Sequence, residues 1–217
     1  MDLSEFLYKV SYWTIPVLFA IALHEVAHGW MARYFGDRTA ELLGRLSLNP
    51  LRHIDPIGTV LVPGFLLATS GMLFGWAKAV PVAPQALRRP RLALPLVALA
   101  GPLANVVMAA LWCAVLAGIV RVNGNETLIR WIASMAQAGI VNNVILALFN
   151  LLPIPGLDGG RVVGGLLPAR WSGQLARLEP YGLLLVVALS VLGLLAWLFE
   201  PAMRAIGRII TLVMGPG

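Results

Sequence analysis

The sequence predicts an all-α polytopic membrane protein, and its composition and apolar runs are the observations behind this prediction. Of its 217 residues, 59% are hydrophobic and 12% are charged, and the mean hydropathy is +0.83. Soluble globular domains carry about 25% charged residues. Four apolar stretches approach or exceed the roughly 20 residues that cross the hydrocarbon core of a bilayer. They lie at about 11–34, 92–120, 131–157 and 181–199.

Two shorter apolar stretches extend the prediction to between four and six transmembrane helices. The stretch at about 57–74 carries Pro63 and Gly64 in its middle. The stretch at about 202–214 contains Arg204 and Arg208 and is predicted to form a terminal interfacial helix. The net charge of +6 does not indicate nucleic acid as a partner, because the basic residues cluster in short loops between apolar runs.

The loop charges predict that the stretch at 57–74 re-enters the membrane and does not cross it. Both of its flanks are strongly basic, and short basic loops face the cytoplasm. A hairpin broken at Pro63 and Gly64 keeps both flanks on one side, whereas an ordinary short span, the alternative, separates them. The flanking cations are Arg33, Arg38, Arg45 and Arg52 before the stretch, and Lys78, Arg88, Arg89 and Arg91 after it.

The same rule gives the remaining topology of a multi-pass cell-membrane protein. The N-terminus and the loop near 123–130 are predicted to lie outside, and the loop with Arg161, Arg170 and Arg177 inside. The C-terminal tail is then outside. Residues 75–82 do not look helical, because Pro81 and Pro84 follow closely, and they predict a short extended β edge at the membrane surface.

The sequence HEVAH at residues 24–28 lies inside the first apolar run. On a helix His24 and His28 share a face and can bind one tetrahedral Zn²⁺, and Glu25 is placed to act as a general base. Ionisable groups inside a membrane are costly and are functional by default. The motif in this setting therefore indicates hydrolysis within a membrane.

Catalytic zinc needs a third protein ligand and an open position. The chain has three histidines in all, and Asp158 stands out among the carboxylates because it follows a long apolar run. Pro153 and Pro155 prevent a regular helix before it, and Gly159 and Gly160 allow a close approach. From the residues alone, a capping or salt-bridge role for Asp158 is as good an interpretation as ligation.

These motifs resemble the site-2 protease family of intramembrane zinc metalloproteases, in its compact prokaryotic branch. The sequence HEVAHG resembles the family's first metal motif, and residues 150–159 match its N-x-x-P-x-P-x-L-D-G motif position by position. Residues 100–105 resemble its intervening GPxxN element. The resemblance covers about residues 20–165. It implies a single protease domain over 1–217, with a catalytic core at about 11–167 and C-terminal helices at about 181–214.

The resemblance also implies residue roles. His24, His28 and Asp158 would bind one Zn²⁺, and Glu25 would activate the attacking water. The edge at 75–82 would pair with an unwound substrate. Asn105 and Asn150 would stabilise the substrate carbonyl or the oxyanion. The alternative role for both residues is hydrogen bonding between helices.

Three features depart from the family pattern or stand outside it. Ala79 occupies a position where the compact branch leads us to expect proline, and no gap between spans holds an inserted PDZ or CBS domain. His53 lies in a proline-containing loop, where it is either an accessory group near the site or, the interpretation we favour, an anchor for the loop.

The sequence thus predicts regulated intramembrane proteolysis of single-span or membrane-anchored proteins in the lipid bilayer, with the active site nearer the cytoplasmic side. Two rivals are a metal transporter and a catalytically silent scaffold of the same fold. A transporter predicts a continuous polar path, yet the runs at 92–120 and 181–199 carry no charge. A silent scaffold predicts loss of Glu25 or of a ligand, and none is lost.

Overall fold

A computed structural model describes residues 2–53, 55–61 and 78–215, and within these ranges the protein is built from helices and their connections without a β-strand. Short 3₁₀ turns at Pro50–Arg52, Pro84–Ala86 and Glu179–Tyr181 and a π-type turn at Pro56–Leu61 lie between the α-helices. The α-helices are α1 (Leu3–Tyr34), α2 (Thr39–Leu42), α3 (Pro90–Ile119), α4 (Glu126–Asn150), α5 (Asp158–Leu166), α6 (Ala169–Arg177), α7 (Gly182–Val191) and α8 (Leu194–Met214).

Four helical segments of the described chain are long and apolar enough to cross a membrane, in keeping with a multi-pass membrane protein. Three are α1, α3 and α4, which correspond to the first three predicted spans, although α4 ends at Asn150 and not near 157. The fourth is Arg170–Val191, which includes most of α6 and all of α7. The predicted span at 181–199 is wrong in its bounds, because Gly193 adopts a left-handed conformation with φ of 72° and separates α7 from α8.

The helices α1, α3 and α4 pack against one another and form the centre of the bundle. The buried stripe of α1 repeats every fourth residue, which keeps it on one helical face. Its members are Pro16, Ala20, His24, His28 and Ala32. Small residues on this stripe let the backbones approach closely, as is typical of helix packing in membranes.

The C-terminal helix α8 is a single helix of 21 residues, so the stretch predicted as a separate interfacial helix at 202–214 is its second half. Ile206 is buried against Leu116 of α3 and against Ala136 and Ile140 of α4. This packing places α8 against the central bundle. The sequence interpretation had assigned this stretch to the membrane interface alone.

The predicted β edge at 75–82 does not form a strand in its described part, and residues 75–77 lie outside the described residues. Pro81 has no N–H to donate to a ladder. The N–H of Lys78 donates to the carbonyl of His53 at 3.0 Å, and that of Ala83, which directly follows the predicted edge, donates to a carboxylate at 2.6 Å. Most of the predicted re-entrant stretch at 57–74 also lies outside the described residues.

Asp37 supplies that carboxylate and fastens the segment at 78–83 to the end of α1. Its side chain is buried, and its Oδ1 accepts from the N–H and the hydroxyl of Thr39, while its Oδ2 accepts from the N–H of Ala83. Burial acts to raise the pKa of Asp37, but the hydrogen bonds from Thr39 and Ala83 outweigh it and hold that pKa below its usual value.

The substitution Asp37→Asn is expected to destabilise the protein by about 1–3 kcal/mol at neutral pH, because its amide N–H₂ would face the N–H of Ala83. Since the folded-state pKa is the lower one, the contribution of Asp37 is complete above the unfolded-state value of about 3.9 and is lost as the pH falls through the folded-state value. Unfolding of detergent-solubilised protein across this acid range measures the difference between variant and wild type. The control Glu126→Gln, at an exposed ion pair with Arg130, should leave stability nearly unchanged at every pH. If the difference in the free energy of unfolding between Asp37→Asn and wild type stays constant down to the lowest pH, this account is contradicted.

Candidate metal centre

Helix α1 presents two imidazoles side by side on its buried stripe. His24 and His28 are one helical turn apart and are 5% and 8% exposed. Their Nε2 atoms lie 3.0 Å from each other, and the two rings meet edge to face. Two histidines at this spacing, with the same ring nitrogen of each directed to one point, offer two ligands of a metal site.

The carboxylate of Asp158 reaches this point from the first residue of α5. A Cβ added at Gly159 would collide with the carbonyl oxygens of Leu151 and Leu152, and one added at Gly160 would collide with that of Ile154. The two glycines therefore let the start of α5 lie directly against the preceding turn, as the sequence predicted. The position of Asp158 at a helix N-terminus also favours the charged form of its side chain.

The three ligand atoms form a nearly equilateral triangle. Asp158 Oδ2 lies 3.1 Å from His24 Nε2 and 3.2 Å from His28 Nε2, and the third side, between the nitrogens, is 3.0 Å. Zinc bonds of about 2.0–2.1 Å in a tetrahedron put neighbouring ligand atoms about 3.3 Å apart. The triangle thus has the size of one face of a tetrahedral zinc site.

The hydrogen bonds of the outer nitrogen of each ring show that the inner nitrogen, Nε2, faces the centre with a lone pair. His28 Nδ1 lies 2.7 Å from the carbonyl oxygen of Val97, and His24 Nδ1 lies 2.6 Å from Asn105 Oδ1. Both oxygens only accept, so both Nδ1 atoms donate, and a neutral ring then has an unprotonated Nε2. Asp158 Oδ2 has no hydrogen-bond donor within the described chain. Three buried lone pairs that face one another repel unless a cation lies between them, so the residues present fit a zinc ion.

Asn105 holds His24 and is itself held. Its side chain is fully buried, and its Nδ2 donates to the carbonyl of Ala20 at 3.2 Å and to Asn143 Oδ1 at 2.8 Å. Asn143 in turn donates from Nδ2 to the carbonyl of Gly139 at 2.8 Å. The amide protons of Asn105 are thus both used within the protein, and its oxygen orients the ring of His24.

Glu25 follows His24 on α1 and lies half-buried next to the segment at 78–83. Its Oε2 accepts a hydrogen bond of 2.7 Å from the N–H of Val80. The carboxylate is therefore fixed to the backbone of a second chain segment, and Glu25 is not in the group of side chains that could hold a metal ion. In an HExxH motif the glutamate is expected to serve as a base and not as a ligand.

The two remaining predicted residues have hydrogen-bond partners outside the ligand triangle. Asn150 is the last residue of α4, half-buried, and its Nδ2 donates to the carbonyl of Leu146 at 2.9 Å. The imidazole of His53 is buried, and its Nε2 lies 2.8 Å from the carbonyl of Ser47. The role of His53 stays a prediction, and the group of described side chains that could hold a metal ion consists of His24, His28 and Asp158.

Sequence reasoning missed three contributors to the site. Asn143 could have been found from the sequence, because an amide inside an apolar span is expected to form a hydrogen bond with a neighbouring helix. Gly101 lay in a recognised element but received no role; a Cβ there would collide with the ring of His28 and lie 2.7 Å from His24 Cε1. The carbonyl of Val97 could not be found, since any residue type carries a carbonyl.

Comparisons with known proteins show the family to which this chain belongs. The sequence model of Peptidase family M50 matches residues 114–193, which include Asp158. "Putative zinc metalloprotease YwhC" of Bacillus subtilis is 36% identical over 210 residues, which cover 94% of this chain and 92% of that protein. The chain belongs to the M50 peptidases, the site-2 protease family. This membership makes it a zinc metalloprotease of compact form.

Two mycobacterial M50 relatives extend the comparison. "Putative zinc metalloprotease Rip2" of Mycolicibacterium smegmatis is 34% identical over 185 residues, with 84% of this chain and 68% of that protein covered. The protein of the same name from Mycobacterium tuberculosis is 30% identical over 195 residues, with 84% and 71% covered. No solved structure matches the chain significantly. The M50 resemblance that the sequence motifs indicated is thereby confirmed.

Gly101→Ala is expected to weaken zinc binding by on the order of 10–100-fold, because the new methyl group displaces the rings of His28 and His24. Gly118→Ala is the matched control, since it lies on the same helix and a Cβ there meets no described heavy atom within 4 Å. Competition with a chelator of known affinity measures both variants. Equal zinc affinity for Gly101→Ala and wild type would show that the close approach of α3 does not shape the centre.

Proposed function

We propose that this M50 peptidase is a membrane-embedded zinc endopeptidase that hydrolyses peptide bonds in or near transmembrane segments of other proteins. The observation that carries the proposal is the triangle of His24, His28 and Asp158 on helices of a membrane bundle, with Glu25 next to His24 on the same helix. Each of these side chains is costly within hydrocarbon, and together they supply the parts that metal-assisted hydrolysis needs.

The proposed cofactor is one zinc ion held by His24 Nε2, His28 Nε2 and Asp158 Oδ2. Two nitrogens and one oxygen with an open fourth position match catalytic zinc sites. When bound, the ion would polarise the scissile carbonyl and lower the pKa of water at the open position. The ligand set has a negative charge of one, so the occupied centre would keep a net positive charge toward the substrate.

Glu25 is the proposed general base. Its carboxylate accepts a proton from the attacking water and passes that proton to the leaving amine, which balances the hydrolysis. The N–H of Val80 holds one carboxylate oxygen, Oε2, at 2.7 Å. The other oxygen, Oε1, is then the one assigned to proton transfer, and the hydrogen bond to Val80 fixes its direction.

The segment at 75–82 is the proposed edge for an unwound substrate, although only its part from Lys78 onward is described. A helical substrate hides its scissile bond in internal hydrogen bonds, so a protease must present alternative backbone partners. The contact of Val80 with Glu25 supports this assignment, because it puts the edge directly beside the proposed base.

Asn150 is the better of the two proposed oxyanion donors. An oxyanion role for Asn105 would require breaking a hydrogen bond that the structure uses, to Ala20 or to Asn143. Asn150 is half-buried and has a second amide proton besides the one donated to Leu146. Substrate stabilisation by Asn150 thus competes less with the packing of the bundle.

The proposed substrates are single-span or membrane-anchored proteins, and the proposed setting is regulated intramembrane proteolysis in the cell membrane. Basic residues support an active site nearer the cytoplasm, because short basic loops face that side. Arg33 ends the half of α1 that carries the two histidines, and Arg161 follows Asp158 closely on α5. Both ligand-bearing segments thus adjoin proposed cytoplasmic loops, from which water would enter.

The role of Glu25 distinguishes this proposal from the two rival functions. A metal transporter needs the three ligands but has no need of a carboxylate fixed beside them and outside the triangle. A silent scaffold needs neither zinc nor a base. Loss of cleavage with retention of zinc, after a change at Glu25 alone, is therefore the discriminating result.

Glu25→Gln is expected to lower the rate of peptide cleavage by about 10²–10⁴-fold, because the amide cannot accept the proton. Purified wild type and variant would be tested against a panel of single-span substrates in liposomes, with cleavage followed by mass spectrometry. Wild-type cleavage should stop with chelator and return with added zinc.

The matched control is Asp158→Asn, which should lose zinc as well as activity, whereas Glu25→Gln should keep its zinc. Cleavage by Glu25→Gln at the wild-type rate would exclude Glu25 as the base. Metal-independent cleavage by the wild type would exclude the proposed mechanism as a whole.

A further inference from the structure

We propose that Asn143 is a positioning residue, which acts through Asn105 to fix the proton of His24 on Nδ1 and so raises the affinity of the centre for zinc. The proposal rests on the proposed zinc centre, but it needs no knowledge of the substrate. Asn143 does not touch a ligand; its effect on His24 passes through one intervening side chain.

Burial supports a specific role for Asn143. Its side chain is fully buried in the middle of α4, a helix that is long and apolar enough to span the membrane. An amide at such a position is costly unless its polar atoms are paired. Within the described chain it pairs with the carbonyl of Gly139 in its own helix and with the amide of Asn105 in α3.

Two backbone carbonyls set the direction of the whole hydrogen-bond chain. The carbonyl of Gly139 only accepts, so Asn143 directs its NH₂ group there and its Oδ1 to Asn105. The carbonyl of Ala20 also only accepts, so Asn105 directs its NH₂ group away from His24. Both anchors give the same answer: Asn105 Oδ1 faces His24 Nδ1, and that nitrogen must carry the proton.

The tautomer decides whether His24 can bind metal. With the proton on Nδ1, the lone pair of Nε2 points to Asp158 and His28. Without Asn143, the amide of Asn105 loses one of its two acceptors and gains freedom to turn its NH₂ group toward His24. A donor in that place stabilises a lone pair on Nδ1 and hence the tautomer with the proton on Nε2, which is blocked as a ligand.

The tautomer of the second histidine, His28, does not depend on an amide side chain. His28 Nδ1 donates directly to the carbonyl of Val97, and a backbone carbonyl cannot reverse its polarity. Only the His24 arm of the centre depends on amide side chains, which can turn. The asymmetry gives a reason for a second asparagine behind Asn105 on the His24 side of the centre.

The experiment compares the zinc affinity of Asn143→Leu with that of Asn142→Leu, using purified metal-free protein in detergent and a competing chelator. Leucine keeps much of the side-chain volume but removes the amide. Asn142 directly precedes Asn143 on α4, and its Nδ2 has no hydrogen-bond partner within the described chain. We expect Asn143→Leu to weaken zinc binding by about 10–100-fold and Asn142→Leu to leave it unchanged. Wild-type affinity for Asn143→Leu would overturn the proposal.

A double-mutant cycle separates a relay through Asn105 from a general loss of packing. If Asn143 acts through Asn105, the variant Asn105→Leu with Asn143→Leu should bind zinc as weakly as Asn105→Leu alone. Additive losses of affinity would overturn the proposal, because they would show that the two amides act independently.

A measurement on the unmodified protein removes any dependence on the folding of variants. The chain has three histidines, so ¹⁵N-histidine NMR of the metal-free protein can follow each ring. We expect His24 Nδ1 to carry a proton before zinc is added; an unprotonated His24 Nδ1 would overturn the proposal. Failure of the wild type to bind zinc would overturn the proposed function too, whereas zinc binding that ignores Asn143 would overturn this inference alone.

Discussion

The structure depends on one constraint: two imidazoles and a carboxylate must keep three lone pairs facing one another inside a membrane bundle. The three atoms lie 3.0–3.2 Å apart, a separation that repels without a cation and suits one face of a tetrahedron with a cation present. Neighbouring features serve this triangle. Gly101 gives the rings room, Gly159 brings α5 to them, and carbonyl or amide oxygens take the outer ring protons.

The proposed base belongs to a second assembly that joins α1 to the segment at 78–83. Glu25 accepts from Val80, and Asp37 accepts from Ala83, so two carboxylates of the α1 region hold two N–H groups of one segment. A substrate that pairs with this segment would therefore meet the base in a fixed relation to the metal ligands. Asp37 contributes to that relation from the end of α1 without being part of the chemistry.

Much of this architecture could be predicted from the sequence because membrane spans and metal ligands leave strong local signals. Long apolar runs predicted α1, α3 and α4, and the rarity of ionisable residues within or soon after them singled out His24, His28 and Asp158. The break at Gly193 was missed because glycine alone does not distinguish a helix interior from a left-handed turn.

Other features depend on tertiary contacts that carry no local pattern. The predicted strand at 75–82 is absent from its described part, where the N–H groups of Lys78 and Val80 pair with His53 and Glu25, which are distant in sequence. The direction of Asn105 follows from Ala20 and Asn143 on two other helices, so the sequence could flag its polarity but not choose between an oxyanion donor and a holder of His24. The carbonyl of Val97 gave no signal at all.

The most direct test of the three-ligand centre is zinc X-ray absorption on the purified, zinc-loaded protein. The account predicts one zinc per chain in a shell of nitrogen and oxygen atoms, with the scattering of two imidazoles and a carboxylate oxygen lost in Asp158→Asn. A third imidazole in the shell would contradict it, because His53 would then be a ligand; so would a shell that is the same in Asp158→Asn and wild type.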